Sequence, residues 1–501
     1  MNEMTSTSDV SLKLNDRTLF GNDAGEDENI EVLTSYFVNQ AAFNDFLDIE
    51  TPLSVARARK GMGKSALLSK FAHDLEQLES KPLVVQVVPS SLSALIKPPE
   101  SGVPSEFENY WKQVICQSIN MEIAKTIGFA WKDDQISLVE NAELNQFKGR
   151  NIIGALASRL LGKISIGSVA EIQQSKPSIA NYEQLLKRIQ EEEKSNRSVW
   201  FLLDDIDTKF TDTPQQQAYV SSFFSACRSL IRDIEGLSIR ATVRTDVWTS
   251  LRAAEDLDKF EQYVCDIVWT KKQQRDILIK RIYAYIMRKH KSSYVAKNWD
   301  IDTHGEDYIQ LAFKRRLKWG NSGVPAVHVL QILSAGRPRW MAQLCRLAGN
   351  KAVENGSTRI GVQEINEVMI IFGTRRLSDL YKEHSHQFAD LQKLIEAFSN
   401  GARRYTTDEL FKKIITSYIK LKSAKSIPDI DGSPFRDAWQ IAHFLFKCGF
   451  IVGHNQAETS LDVPEFISYE LRPDLLQTAV NLDDGLNWEI QPSYRRALRI
   501  Q

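Results

Sequence analysis

The chain has 501 residues, of which 43% are hydrophobic and 25% are charged, as is typical of a soluble globular protein. Its 63 Lys and Arg against 64 Asp and Glu leave a net charge of -1, which excludes a chain that is cationic throughout. Five scattered cysteines without a CxxC pair exclude a disulfide framework and a zinc ribbon. No stretch reaches the ~20 apolar residues of a membrane span, and the first residues do not resemble a secretion signal, so we predict a cytoplasmic protein.

The first 50 residues are acidic, with eleven Asp and Glu against two Lys and Arg. Apolar residues then recur at helical spacing from Tyr36 to Leu47. We predict that residues 1–50 form an acidic segment that packs near the nucleotide domain expected at residues 51–270.

A phosphate-binding loop is predicted at residues 58–65, ARKGMGKS, between a short apolar strand and an amphipathic helix. Glycine lets the backbone approach a phosphate closely, and successive N–H groups then surround it. Lys64 is expected to bridge the β- and γ-phosphates of ATP, and the Ser65 hydroxyl to bind Mg²⁺. The alternative is a Gly/Lys-rich loop that arose by chance. The expected nucleotide-binding residues are Ala58, Arg59, Lys60, Gly61, Met62, Gly63, Lys64, Ser65 and Ala66.

A second apolar strand at residues 199–203, VWFLL, ends in Asp204 and Asp205. Carboxylates at the end of a buried strand are costly unless they meet a cation or a donor. We expect Asp204 to hold Mg²⁺ through water and Asp205 to polarise the attacking water. The alternative is an ordinary turn, where Asp is common. The role of Asp207 stays open.

The next strand, residues 237–245, ends in Arg244, which could contact the γ-phosphate because neighbouring ends of parallel strands converge on a ligand. The alternative is an ion pair with Asp246 or a surface acid. Further on, Gly336, Arg337, Pro338 and Arg339 open a helix, which ordinary helix capping also explains.

These elements predict an α/β fold: a parallel-sheet P-loop domain followed by an all-α lid and a winged helix. The lid is expected to lack convincing strands, and three helices with a two-stranded β-ribbon form the predicted winged helix. The predicted parts are the P-loop domain at 51–270 with a helical insertion at 95–195, the lid at 271–380, the winged helix at 385–480, and a tail at 481–501.

Together these motifs resemble the AAA+/STAND branch of P-loop ATPases. The resemblance implies that Arg244 contacts the γ-phosphate, that Gly336 and Pro338 pack on the base, and that Arg337 or Arg339 reaches the nucleotide. The run FGNDAGEDENIEVLTSYFV also resembles the opening of a bacterial family of uncharacterised P-loop ATPases, some of whose relatives belong to antiphage systems. Two departures stand out: no repeat sensor or effector follows the winged helix, and no arginine finger precedes residues 265–270.

The helix predicted at residues 434–448 leaves two functions open. Its polar stripe could enter a DNA major groove, whereas its wide apolar surface is more often packed against protein. We predict an ATP-driven switch read by an effector or sensor protein encoded elsewhere, with homo-oligomers as a further partner. The alternative is an initiator or loader ATPase that binds DNA through the winged helix. The stripe consists of Arg436, Gln440, His443 and Lys447.

Overall fold

The structure is a computed structural model, and the part of the chain that it describes comprises several ranges. These are residues 9–22, 28–80, 82–95, 97–100, 102–132, 198–208, 210–251, 257–319, 322–421, 427–430, 434–435, 437–455, 466–477 and 482–500. The chain divides into two compact units. We call Asn39–Arg59 with Lys64–Ile267 the sheet unit, and Met1–Val38, Lys60–Gly63 and Val268–Gln501 the helical unit.

The sheet unit contains a five-stranded parallel sheet in the order β2-β3-β4-β1-β5. Its strands are apolar runs rich in Val, Ile and Leu, and β3 is buried at every position, as expected for a sheet covered on both faces. The predicted parallel sheet is therefore confirmed. The strands are β1 Leu53–Ala58, β2 Leu83–Val87, β3 Val199–Leu203, β4 Leu237–Arg244 and β5 Val264–Asp266.

Helices cover this sheet, and one of them comes from the predicted insertion. The Trp111 indole N–H donates to the Tyr219 carbonyl at 2.8 Å, which joins the helix at 104–132 to the helix at 214–233. The rest of the insertion, residues 133–195, lies outside the described residues. The helices of the sheet unit are α2 Asn44–Leu47, α3 Lys64–Glu76, α4 Pro89–Leu95, α5 Pro104–Lys132, α6 Pro214–Asp233 and α7 Thr245–Leu251.

A fully buried arginine on β4 holds the segment that leads into β1. The Arg240 guanidinium donates to the carbonyls of Phe46, Asp48 and Thr51 at 2.7 to 2.8 Å. It also lies 4.8 Å from the Trp200 ring centroid. Burial lowers the pKa of Arg240 to about 9. Carbonyl oxygens and aromatic faces therefore stabilise this buried cation, and its hydrogen bonds position the segment that precedes β1.

The helical unit has its own apolar core, which includes the first described residues of the chain. Val10, Leu12, Leu14, Leu19 and Phe20 are buried among helices of this unit. Residues 10–20 thus contribute buried side chains to the core of the helical unit, while the packing of residues 1–50 near the nucleotide domain stays a prediction. The helices are α1 Ile30–Tyr36, α8 Lys271–Lys289, α9 Tyr294–Asn298, α10 Gly305–Ala312, α11 Ala326–Leu333, α12 Pro338–Glu354 and α13 Val362–His384.

A β-hairpin interrupts these helices, which corrects the expectation of an all-α lid. Strand β6, Arg316–Trp319, pairs antiparallel with β7, Ser322–Pro325. Leu317 and Val324 face each other and are buried at 1% exposure, so the hairpin is anchored in the core. With four residues in each strand, and only Leu317 and Trp319 on β6 and Val324 on β7 in contact with the core, the sequence offers little periodicity to detect.

In its described residues, the winged helix combines four α-helices, the last of only four residues, with a four-stranded antiparallel sheet in the order β10-β9-β11-β8. The central strand β11 comes from residues that we predicted to be a tail. Trp488 and Ile490 on β11 are fully buried, which explains why the segment joins the core. The elements are α14 Leu391–Glu396, β8 Arg404–Tyr405, α15 Thr407–Ser417, α16 Ala438–Lys447, β9 Ile451–His454, β10 Phe466–Ile467, β11 Asn487–Ile490 and α17 Pro492–Arg495.

Within the described residues, the structure contains no helix with the length and apolarity needed to span a bilayer.

Candidate functional site

The predicted phosphate loop connects β1 to α3 with the backbone conformation that its sequence implies. Gly61 and Gly63 have φ values of +82° and +102°, which side-chain-bearing residues rarely adopt. Ala58 ends β1, whereas Lys64, Ser65 and Ala66 form the first turn of α3. The backbone N–H groups at this helix start have no intrahelical partners, and this makes the turn suitable for an anion.

The Lys64 side chain lies in the sheet unit beside the acidic strand end. It is 6% exposed, and its Nζ donates to the Ala58 carbonyl at 3.3 Å. The same Nζ lies 3.9 Å from Asp205 Oδ1. The structure therefore brings Lys64 and Asp205 together, although 140 residues of sequence separate them.

Thr242 on β4 connects the two acidic residues. Its hydroxyl donates to Asp204 Oδ1 at 2.7 Å and accepts the Asp205 N–H at 2.8 Å. Asp205 has a φ of +49°, which is uncommon for a residue with a side chain. We interpret this conformation as strain imposed by the turn after β3.

The residues expected to bind Mg²⁺ are neighbours. The Ser65 hydroxyl lies beside the Asp204 carboxylate and lowers its pKa. Burial and then the charge of Asp205 raise the pKa of Asp204, and they outweigh the hydrogen bond from Thr242, the Ser65 hydroxyl and the charge of Lys64, which lower it. A hydroxyl and a carboxylate are oxygen donors of the kind that Mg²⁺ prefers, and a cation there would offset the repulsion between the acids. This donor set fits Mg²⁺.

Arg244 is held by two acids at the end of β4. Its guanidinium lies 2.9 Å from Asp207 Oδ2 and 3.0 Å from Asp246 Oδ2. Asp207 also accepts the Arg244 main-chain N–H at 3.2 Å. Burial raises the pKa of Asp207 to about 6, against the lowering effects of Arg244 and Lys64. These contacts match the alternative interpretation of Arg244 as a member of an ion pair. They also identify Arg244 as the partner of Asp207, whose role could not be inferred from the sequence.

In the helical unit, the residues Gly336 to Arg339 contact the loop segment Lys60–Gly63. The Arg339 N–H donates to the Gly61 carbonyl at 3.2 Å, and a Cβ on Gly61 would lie 3.2 Å from Arg339 Cβ. Gly336 has a φ of +71°, and Pro338 is the first residue of α12. Arg339 therefore contacts the loop through its backbone and Cβ.

Arg337 forms a buried ion pair that sequence reasoning missed. Its NH1 donates to Glu383 Oε1 at 2.8 Å and to the Lys60 carbonyl at 3.2 Å. The two side chains are only 5% and 2% exposed. Burial lowers the pKa of Arg337 and the charge of Glu383 raises it, with a net upward shift. The guanidinium also lies 4.1 Å from the Trp340 ring centroid.

Two further side chains bind the same loop segment. The Trp269 indole N–H donates to the Met62 carbonyl at 2.8 Å, and Lys60 Nζ lies 3.3 Å from Asp379. Neither contact had a sequence signal, because Trp269 follows an ordinary strand and Asp379 lies within an ordinary amphipathic helix. Three main-chain carbonyls of the loop, those of Lys60, Gly61 and Met62, thus accept hydrogen bonds within the helical unit.

Three residues of the predicted DNA-facing stripe lie in the described part of the winged helix. On α16, Gln440, His443 and Lys447 are each only partly accessible. A His443 ring nitrogen lies 3.2 Å from the Leu475 carbonyl, and the ring packs against Tyr469. Arg436 lies outside the described residues. The described part of α16 is therefore a packed helix, which favours the interpretation that it contacts protein.

No protein-family model matches the chain, and a search of the curated proteins gives no match. Among solved structures, Cdc6p from Pyrobaculum aerophilum is similar at 12% identity, with 97% of this chain and 98% of that chain covered and a TM-score of 0.31. Orc1 from Aeropyrum pernix in complex with DNA is similar at 13% identity, with 96% of this chain and 95% of that chain covered and a TM-score of 0.35. Orc2 from Aeropyrum pernix, with ADPNP and ADP, is similar at 12% identity, with 91% of this chain and 90% of that chain covered and a TM-score of 0.38. These likenesses are too distant to assign a family or a function.

Proposed function

We propose that this chain binds ATP with Mg²⁺ and hydrolyses it to ADP and phosphate. The observation that carries the proposal is the convergence of Lys64 and Ser65 at the start of α3 with Asp204 and Asp205 at the end of β3. A buried lysine 3.9 Å from one acid, and a serine hydroxyl beside the other, support a site for a phosphate chain and its metal.

Each residue has a separate role in the proposed reaction. Lys64 faces the β- and γ-phosphates, and a phosphate that displaces the Ala58 carbonyl as its partner would gain a charge-assisted hydrogen bond. Ser65 and Asp204 would hold Mg²⁺, which supplies charge stabilisation for the transferred phosphoryl group. Asp205 orients the attacking water and accepts its proton, with its backbone fixed by Thr242.

We further propose that the protein works as a nucleotide-controlled switch. The carbonyls of Lys60, Gly61 and Met62 are bonded to Arg337, Arg339 and Trp269 in the helical unit. A change in the loop backbone on nucleotide binding would alter these bonds directly. Such differential contacts are the condition for a ligand to shift a conformational equilibrium. Control of an effector in antiphage defence stays a prediction based on the resemblance.

The experiment is isothermal titration of ATP into Lys64→Ala, together with measurement of phosphate release. We expect loss of detectable binding and turnover, because the substitution removes the buried cation of the loop. Lys70→Ala is the matched control, since Lys70 lies on the same helix and pairs with Asp74 through solvent-accessible side chains. ATP affinity in Lys64→Ala close to that of the wild type would contradict the proposed site.

The alternative function is a DNA-binding initiator or loader ATPase. A DNA reader needs exposed residues on its recognition helix, whereas the described residues of α16 are buried or only partly accessible. This favours the switch over DNA reading through α16. Trp439→Ala separates the two: a raised basal ATPase rate supports a clamp formed by this helix, whereas loss of duplex binding at an unchanged rate supports DNA reading.

A further inference from the structure

The hairpin formed by β6 and β7 lies in the most strongly basic stretch of the helical region. Residues 308–353 contain eight Lys and Arg and no Asp or Glu, although the chain as a whole has slightly more acids than bases. Four of these eight lie between positions 314 and 318, and all four are exposed. The hairpin is therefore a local concentration of positive charge in a nearly neutral protein.

Three of these cations have no acidic partner among the described residues. Lys314 is near the Glu364 carboxylate and lowers its pKa. Arg315, Arg316 and Lys318 form no ion pair with a described residue, and we call these three residues the basic ribbon. Like charges at alternate positions of one strand repel each other, so this arrangement does not stabilise the hairpin.

The basic ribbon belongs to a rigid element. Leu317, between the cations, is buried against Val324 of the partner strand, and Trp319 packs against the same core. Opposite Lys318 stands Gly323, and opposite Arg316 stands Pro325, so the solvent face across the cations carries no large side chain. Arg316 and Lys318 thus stand on β6 without a large side chain opposite them on β7.

Arg316 is held in place without losing its charge. Its Nε donates to the Gly323 carbonyl at 2.8 Å, and NH2 donates to the same oxygen. A neutral carbonyl orients the guanidinium but does not neutralise it. Three of its five N–H donors therefore stay available for an anion, in the planar geometry that suits a phosphate.

We propose that the basic ribbon binds the phosphate backbone of double-stranded nucleic acid. Arg316 and Lys318 are at alternate positions of β6 and stand about 6 to 7 Å apart, and Arg315 directly precedes the strand, so the three cations can meet separate charges of a polyanion. Single-strand binding usually needs exposed aromatic rings on which bases stack, whereas Trp319 packs against the core. Insertion into a membrane would need large apolar side chains on the face that carries Gly323 and Pro325. These features select a duplex, contacted without sequence preference.

The test is fluorescence anisotropy with the full-length chain and a labelled 20-base-pair DNA duplex at increasing KCl concentration. Each lost phosphate contact reduces the slope of log affinity against log salt by about 0.9, so Arg315→Ser, Arg316→Ser and Lys318→Ser together should reduce it by about 2.7. Over a fourfold rise in salt, the wild-type affinity should then fall about 40-fold more than that of the variant.

Two controls distinguish an effect of the basic ribbon from an effect of the net charge of the protein. Arg315→Lys with Arg316→Lys keeps the charges and should keep most of the salt slope. Substitution of the exposed Lys291, Lys297 and Lys412 by Ser changes the net charge equally and should leave the slope almost unchanged. Thermal unfolding checks that each variant folds, which we expect because all altered side chains are exposed.

Several results would overturn the proposal. One is failure of the wild-type chain to bind the duplex, and another is a triple ribbon variant that keeps the wild-type salt slope. An equal reduction of the salt slope in the lysine control and in the ribbon variant would also contradict the proposal. Preference for the 20-nucleotide single strand, or binding to phosphatidylserine vesicles in place of the duplex, would also refute it. The Lys64→Ala chain should bind the duplex normally in the absence of ATP, which makes the result independent of the proposed ATPase activity.

Discussion

The buried pair of Arg337 and Glu383 gives the sharpest prediction about how the helical unit holds the phosphate loop. Glu383 accepts two hydrogen bonds from Arg337 NH1, at 2.8 and 3.1 Å, and both side chains are almost fully buried. Glu383→Ala leaves the guanidinium buried without its counter-charge. Removing one partner of such a pair typically costs about 3–5 kcal/mol of unfolding free energy.

The loss of stability should be visible in urea unfolding followed by the tryptophan fluorescence of the chain, to which the buried Trp340, with its ring 4.1 Å from the Arg337 guanidinium, contributes. Glu306→Ala is a suitable control, because Glu306 pairs with Arg275 through side chains that are 47% and 36% exposed. An accessible pair of this kind contributes about 1 kcal/mol or less. Equal unfolding midpoints for Glu383→Ala and the wild type would refute the energetic role of the pair.

A double variant distinguishes stability from positioning of the loop. Arg337→Met with Glu383→Leu replaces the pair by apolar side chains, and such replacements often restore stability. It still lacks the donor to the Lys60 carbonyl, so we expect near wild-type unfolding with weaker ATP binding, by about 5–10-fold for one lost hydrogen bond. Wild-type ATP affinity in this stable variant would show that the bond to the loop has no role in nucleotide binding.

Three further predictions concern the acidic strand end and its neighbours. Asp205→Asn should leave ATP binding intact and reduce phosphate release by about 10²-fold or more, and a parallel loss of binding would identify Asp205 as a metal ligand. If Arg244 senses the γ-phosphate, Arg244→Ala should weaken ATP binding more than ADP binding. Titrations in which the two affinities fall equally would show that Arg244 acts only through its ion pairs with Asp207 and Asp246. The pKa of Asp207 is about 6 in the folded chain, which is above its unfolded value. The protonated Asp207 therefore stabilises the fold fully below about pH 4, and this stabilisation is lost as the pH rises through 6. Relative to Asp207→Asn, the wild type should therefore lose up to roughly 3 kcal/mol of unfolding free energy between pH 4 and 7 in chemical denaturation, and parallel pH profiles would contradict this.

The parts of the site that could be predicted are those whose chemistry is local in sequence. Two glycines flanking Met62 and the Lys64–Ser65 pair specify a loop with positive φ values before a helix, and the structure has both. An apolar run followed by Asp204 and Asp205 likewise predicts a buried strand with carboxylates at its end. In both cases the signal and the structure lie within about ten residues.

Contacts between distant segments could not be predicted, because one sequence does not indicate which buried charges meet. Arg337 and Glu383 lie 46 positions apart, and nothing in either helix distinguishes this arginine from one that faces a nucleotide. The same applies to Arg244, for which the sequence left an ion pair with Asp246 open and the structure adds Asp207.

The parallel sheet, the glycine-rich turn before α3 and the two acids at the end of β3 could be predicted from the sequence, because each follows from local periodicity or spacing. The folded chain was needed to show that Val10 to Phe20 join the helical core, that β11 lies inside the winged-helix sheet, and that a basic hairpin stands in the helical region. Short strands and extended segments carry little periodicity of their own. Their positions depend on which distant apolar surface they cover, and that is a property of the folded chain.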